Sequence, residues 1–202
     1  PCTLQIGLQS AHDKVLRNIS RTFNPADFKT KIMLLHKVGV PYGFDLIYGL
    51  PGDTLEGFRE SVDFAMGLVP NHLDVFRLSV LPGTQLAETA AGLQLRHEAH
   101  HPYRVLGSPT FSATDLEQAG RIARGCDALY NQGRAVPWFG MLLEPLYLRP
   151  AEVFEAFGTW LETHPEGTPI ETRRDFFRSL FEARGDRLLG ELAVDVIACF
   201  GG

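Results

Sequence analysis

The chain has 202 residues, of which 45% are hydrophobic and 21% charged, and a formal net charge of -5. That is the composition of an ordinary globular protein with a real core, in one domain or two small ones. Lysine and arginine are scattered, which excludes the basic footprint of a nucleic-acid binder or of a protein drawn to an anionic membrane, and no apolar run reaches the roughly 18 residues that span a bilayer. The three cysteines, Cys2, Cys126 and Cys199, lie far apart with no Cys-x-x-Cys pair. So sparse and odd a set argues against a disulfide framework and for a reducing, cytoplasmic compartment, each cysteine reading as a small buried apolar residue.

The chain starts at Pro1-Cys2 without an initiator methionine or a signal peptide and enters a strand almost at once, which reads as a piece of a longer protein. Thr3 to Gln9 is the first predicted strand, with Leu4, Ile6 and Leu8 on one face and Gln5, Gly7 and Gln9 on the other. A short helix is expected from Asp13 to Ile19. A longer one starts at Pro25, capped by Asn24, with Phe28, Ile32, Leu35 and Val38 as its apolar stripe and Gly39 as its stop. Gly43 to Gly49 is the second strand. Its alternation sets Phe44, Leu46 and Tyr48 against Asp45 and Ile47, and an acid in so apolar a strand needs a donor. The turn Gly49-Leu-Pro-Gly52 ends it, and Thr54 opens a helix to Leu68 that buries Phe58, Val62, Phe64 and Ala65. A third strand is expected from Leu73 to Leu81, ending in Pro82-Gly83-Thr84. Strands joined by crossovers of this length are parallel neighbours.

Beyond Thr84 a short helix, Gln85 to Ala91, gives way to a loop from His97 to Pro109. The rest reads as helix. Ser112-Ala-Thr-Asp115 is a capping box opening a helix to Tyr130. An apolar segment follows from Val136 to Leu148, then helices over Pro150 to His164, Pro169 to Ala183 and Asp186 to Phe200. Val153, Phe154, Phe157, Trp160 and Leu161 mark the core side of the first of these three. The fold class is thus α/β with parallel strands over residues 1–110 and an all-helical domain over 111–202.

Four motifs recur in one order: Ile6-Gly7-Leu8-Gln9-Ser10, then Arg21, then Asp45-Leu46-Ile47-Tyr48-Gly49-Leu50-Pro51-Gly52-Asp53-Thr54, then Leu81-Pro82-Gly83-Thr84. Together they resemble the second half of a radical S-adenosylmethionine (SAM) domain, in the branch that contains oxygen-independent coproporphyrinogen oxidase and the cobalamin-binding radical SAM proteins. The resemblance implies the C-terminal half of a partial (β/α)6 barrel, strands four to six, followed by that branch's helical C-terminal domain. It also implies an iron–sulfur oxidoreductase that uses SAM and a 4Fe-4S cluster, with cobalamin in some members. By position, Gln9 and Arg21 match residues that contact the methionyl and ribose groups of SAM, Asp45 the acid that reaches the ribose, and Ile47 the residue that packs on adenine. The strand alternation independently puts Gln9, Asp45 and Ile47 on one face. Arg77 and Ser79 alternate onto a common face of the third strand and are candidates for substrate contact.

The family's Cys-x-x-x-Cys-x-x-Cys and the glycine-rich segment that grips the SAM amino group are absent from this sequence. The expectation is a chain that is inactive alone and binds no cofactor by itself, with its cluster-bearing N-terminal half as partner. Plainer readings stand beside these. Gln9 could be a hydrogen-bonded strand residue, Asp45 a structural partner for Arg21, Ile47 core and Arg21 a solvated loop residue. The Gly49–Gly52 turn lacks the lysine and spacing of a phosphate loop. His97, His100 and His101 have no fixed further ligands for a metal. Rival functions are a (β/α)-barrel enzyme acting on a phosphorylated metabolite, and a non-enzymatic helical docking module. The open edge of the first strand is expected to be covered by the chain's own tail or by a second copy, giving a homo-oligomer.

Overall fold

A computed structural model describes residues 3–144, 147–164 and 170–200. The chain divides into two units, Pro1–Gly120 and Arg121–Gly202, with the boundary inside one helix. In the first unit β1 (Leu4–Gln9), β2 (Tyr42–Tyr48) and β3 (His72–Arg77) form a parallel sheet in the order β1-β2-β3. The crossovers that parallel strands require are α1 (Asp13–Arg17) with α2 (Pro25–Val38), and α3 (Leu55–Met66). The α/β class read from the sequence is therefore the one adopted.

One face of the sheet is covered and the other is not. Tyr42, Phe44, Leu46 and Tyr48 are buried, whereas Asp45 and Ile47 between them are only half-buried. The ring of Phe44 lies 5.6 Å from Phe28 of α2, and that of Tyr48 lies 5.6 Å from Phe58 of α3. Each helix starts where its cap predicts. Asn24 accepts from the amides of Ala26 and Asp27, and Thr54 from that of Gly57. The stripe on α2 is shorter than its periodicity suggests. Ile32 is buried and Phe28 and Leu35 are half-buried, but Val38, the last residue of the helix, is 70% exposed.

Two further differences from the sequence reading concern the sheet's end. The chain leaves the sheet at Arg77 rather than Leu81, and Ser79 makes only an isolated antiparallel bridge with Arg104. After α4 (Gln85–Thr89), the stretch read as a loop contains a small antiparallel pair, β4 (Arg96–His97) and β5 (Val105–Gly107). Strands of two and three residues are too short for a period-two pattern to register.

The helix α5 (Ala113–Cys126) begins with the expected reciprocal cap, Ser112 N–H to Asp115 Oδ2 and Asp115 N–H to Ser112 Oγ. It continues into a π-helical turn, Asp127–Asn131. The second unit is completed by α6 (Phe139–Leu143), α7 (Pro150–Thr163), α8 (Ile170–Ala183) and α9 (Arg187–Phe200). Trp138, Phe139, Phe154, Phe157 and Phe177 form its core, with the rings of Phe139 and Phe154 stacked at 4.9 Å. Cys126 is buried in that core, but Cys199 is exposed, contrary to the reading that each cysteine is internal. The buried stripe of α9 runs through Gly190, Ala193 and Ile197, and Cys199 is two positions, more than half a turn, off it. Cys2 and Pro169 lie outside the described residues.

Two glycines let α5 and α7 approach closely. A Cβ on Gly125 of α5 would lie 1.8 Å from the carbonyl oxygen of Phe154, and one on Gly158 of α7 would lie 2.1 Å from that of Arg121. Backbone on both sides leaves nothing free to move aside, so a methyl group at either site forces the helices apart. Gly158→Ala is expected to destabilise the helical unit by about 3 kcal/mol or more, read as a lowered denaturation midpoint, with Gly140→Ala, where a Cβ meets open space, as the neutral control.

Candidate functional site

The uncovered face of the parallel sheet is built in three layers. Gln5, Gly43 and His72 lie nearest the amino ends of the strands, Gly7, Asp45 and Asp74 in the middle, and Ile47 and Phe76 toward the carboxyl ends. Ligands of open α/β sheets bind at the carboxyl ends. A register slip between Gly7 and Gln9 breaks the β1–β2 ladder, and Gln9 takes a left-handed backbone conformation with φ of 68°. Such a bulge re-aims a side chain. Here the Gln9 amide is turned back over Gly7, its Nε2 2.6 Å from where a Cβ of Gly7 would be. Arg21, in the loop after α1, donates from Nη2 to the Gly7 carbonyl at 2.9 Å. Gln9 and Arg21 therefore meet at Gly7, whose strand partner is Asp45.

Asp45 has the donor its position demands, and the donor is Gln5. The Gln5 amide nitrogen donates to Asp45 Oδ1 at 2.7 Å and to Asp74 Oδ2 at 3.2 Å, and His72 Nε2 lies 2.9 Å from Asp74 Oδ1. Gln5, Asp74 and His72 received no role from the sequence. The signal that marks Asp45, an acid in an apolar strand, is equally present at Asp74 in His72-Leu-Asp-Val-Phe76 and finds it once applied.

Ile47 forms part of the wall of a cavity of about 360 Å³ with Asn18, Ser20, Leu50, Leu78 and Leu86. Arg77 is elsewhere. It pairs in register with buried Tyr48, and its Nε and Nη2 both donate to the Val105 carbonyl, at 2.9 and 2.6 Å. Ser79 sits beyond the strand in its bridge with Arg104. Gln9, Arg21, Asp45 and Ile47 are thus brought to one face, and Arg77 and Ser79 are not part of it.

The Gly49–Gly52 turn supports this site without offering a phosphate cradle. Gly49 and Gly52 have φ of 82° and 78°, and Asn18 Nδ2 reaches over Gly52 to the Pro51 carbonyl at 2.8 Å. Three of the amides that follow are already used: Asp53 N–H by the Leu50 carbonyl, Thr54 N–H by Asp53 Oδ1, and Gly57 N–H by Thr54 Oγ1.

A nucleoside-bearing ligand fits this face. An Asp45 oxygen that accepts no hydrogen bond among the described residues and a cavity of mixed polar and apolar lining beside Ile47 are what a ribose and a base require. Among the described residues no three His, Cys, Asp or Glu side chains are grouped to hold a metal ion. Among the same residues no helix is long and apolar enough to cross a membrane.

Residues 1–65 match the radical SAM superfamily. The chain is 33% identical over 79 residues to the heme chaperone HemW of Buchnera aphidicola subsp. Acyrthosiphon pisum, which covers 39% of this chain and 21% of that one. It is 32% identical over 85 residues to the heme chaperone HemW of Haemophilus influenzae, covering 42% and 22%. Among solved structures it is similar to coproporphyrinogen III oxidase (HemN) from Escherichia coli, at 23% identity and a TM-score of 0.38 over 61% of this chain and 32% of that one. The chain spans about a fifth of the length of the curated relatives it matches.

One buried acid lies just outside the site. Asp53, 2% exposed, accepts from the Thr54 amide with Oδ1, while its enclosed Oδ2 has no hydrogen-bond partner among the described residues. Burial raises its carboxyl to about 6, against the smaller opposing pull of the Thr54 amide and of His12. A carboxyl raised on folding holds its proton longer in the native state, so its contribution is complete below the usual carboxylate range and is lost as pH rises through about 6. From this group alone, stability is expected to fall by up to about 3 kcal/mol between pH 4 and pH 6. Denaturant titrations across that range should show a smaller fall for Asp53→Asn than for the wild type.

Proposed function

We propose, from the match of residues 1–65 to the radical SAM superfamily, that this chain supplies the adenosine side of a SAM site in a larger iron–sulfur oxidoreductase. The observation that carries the reading is the convergence of Gln9 and Arg21 on Gly7 beside Asp45, with Ile47 on the cavity next to them. Arg21 presents a planar fork suited to a carboxylate, and Gln9 offers an amide to the same group. Asp45 accepts a ribose hydroxyl on its open oxygen, and Ile47 packs on the base. When bound, SAM supplies radical chemistry that side chains lack, and the residues here orient it and shield it from water.

In this reading the sheet is the second half of a (β/α)6 barrel, and the cluster is held by the preceding half of the same cytoplasmic protein. Cobalamin use belongs to the same proposal, through the branch the motifs resemble. The β1 edge, with Leu4 40% exposed, meets that preceding half or, in its absence, a second copy. The docking-module alternative gains no support from α7 and α8. Among the described residues of the helical unit, the exposed large apolar side chains are Met141, Tyr147 and, on α9, Leu188, Leu192 and Phe200.

Calorimetric titration of SAM into the full-length protein with its cluster reconstituted tests the assignment. Asp45→Ala is expected to weaken binding at least about tenfold, the effect of losing a hydrogen bond to a charged acceptor. Unchanged affinity in that variant would remove Asp45 from the site. Tight binding by the 202-residue chain alone would show that the half-site account is wrong.

A further inference from the structure

We infer that Gln5 is the positioning residue for Asp45: its side-chain amide, backed by Asp74 and His72, holds one Asp45 oxygen so that the other is presented to a ribose hydroxyl. The inference rests on the SAM reading above and adds a residue to it. Asp45 and Asp74 are direct partners in the parallel ladder, and like charges facing each other across strands repel. Left to themselves, the two carboxylates would swing apart. The Gln5 amide nitrogen bridges them, with 2.7 Å to Asp45 Oδ1 and 3.2 Å to Asp74 Oδ2, and the other oxygen of Asp74 is 2.9 Å from His72 Nε2. An amide nitrogen has two protons, one for each carboxylate, so a single neutral group fixes both rotamers.

The backbone makes room for this bridge. A Cβ on Gly43 would lie 2.5 Å from Gln5 Oε1 and 3.0 Å from the His72 carbonyl oxygen. Gly43 is the strand partner of both Gln5 and His72. It needs no left-handed conformation, so its value is the space it leaves, through which the Gln5 amide crosses from β1 to Asp45 on β2 and Asp74 on β3. Gln5, Gly43 and His72 lie toward the amino ends of the strands, behind Asp45 as seen from the carboxyl-end site. They act on the ligand through Asp45 alone.

The test separates positioning from general support of the fold. S-adenosylhomocysteine and its analogue lacking the 2′ and 3′ hydroxyls are titrated into the full-length protein carrying wild-type Gln5, Gln5→Leu or Gln5→Glu. Gln5→Leu is expected to weaken the hydroxyl-bearing ligand roughly five- to tenfold and to leave the analogue unchanged. Gln5→Glu, which sets a third carboxylate beside the pair, is expected to do the same or more. In parallel, carbon NMR of the 202-residue chain should show the Asp45 carboxyl resonance displaced in Gln5→Leu while the wild-type amide spectrum of the strands is retained. Equal losses for both ligands, no loss for either, or an unmoved Asp45 resonance would overturn the inference. If Asp45→Ala is also silent, it is the SAM assignment that fails. If Asp45→Ala weakens binding and the Gln5 variants do not, only the positioning role fails.

Discussion

The site depends on a missing atom. Gly7 has no Cβ, and the space it would fill is occupied by the Gln9 amide, with the Arg21 guanidinium close behind. A Cβ at residue 7 would push the Gln9 amide aside and lie against the Arg21 guanidinium. The bulge at the end of β1 has meaning only in that setting. Holding a glutamine in the left-handed region costs on the order of 1 kcal/mol, and what it achieves is to lay the amide across a bare glycine. Covered on the other side by Phe44, Leu46 and the helices behind them, the sheet is stiff enough to hold this geometry.

The same economy of space recurs at Gly43, Gly52, Gly125 and Gly158, each of which lets a polar group or a backbone pass where a methyl group would collide. At Gly52 the passing group is Asn18, which ties the turn after β2 to the end of α1. Asp53 and Thr54 then use the local amides, so the turn is a closed hydrogen-bonded unit before any ligand arrives. A glycine-rich turn at a strand's end can thus brace the open face of the sheet without serving as a phosphate loop.

Much of this was legible in the sequence because period-two alternation and cap chemistry are local. The face carrying Asp45 and Ile47, the caps at Asn24 and Thr54, and the Ser112–Asp115 box all follow from neighbours a few residues apart, whereas Gln9 reaches that face through a bulge that breaks the alternation. What was not legible depends on partners far along the chain. Arg77 looked available because strand alternation says nothing of Val105, 28 residues later, which takes up its guanidinium. Gln5 looked like one more polar strand residue because its two acceptors lie 40 and 69 residues away. Val38 fits a helical stripe by spacing and is nonetheless exposed at the helix's last position. Cys199 departs from expectation for a simpler reason: residue type alone carries no phase, and on α9 the phase is decisive.

The pleat of β2 also works as a gauge. Asp45 and Ile47 are successive residues on one face, so roughly 6.6 Å of backbone separates the acceptor from the apolar contact. The interval is fixed by covalent geometry rather than by any side chain's packing. A ligand that satisfies both must carry its polar and flat apolar parts at a matching interval, and a shorter or longer one can satisfy one or the other. Inserting a single residue between them would not merely stretch the gauge but turn one of its two marks under the helices.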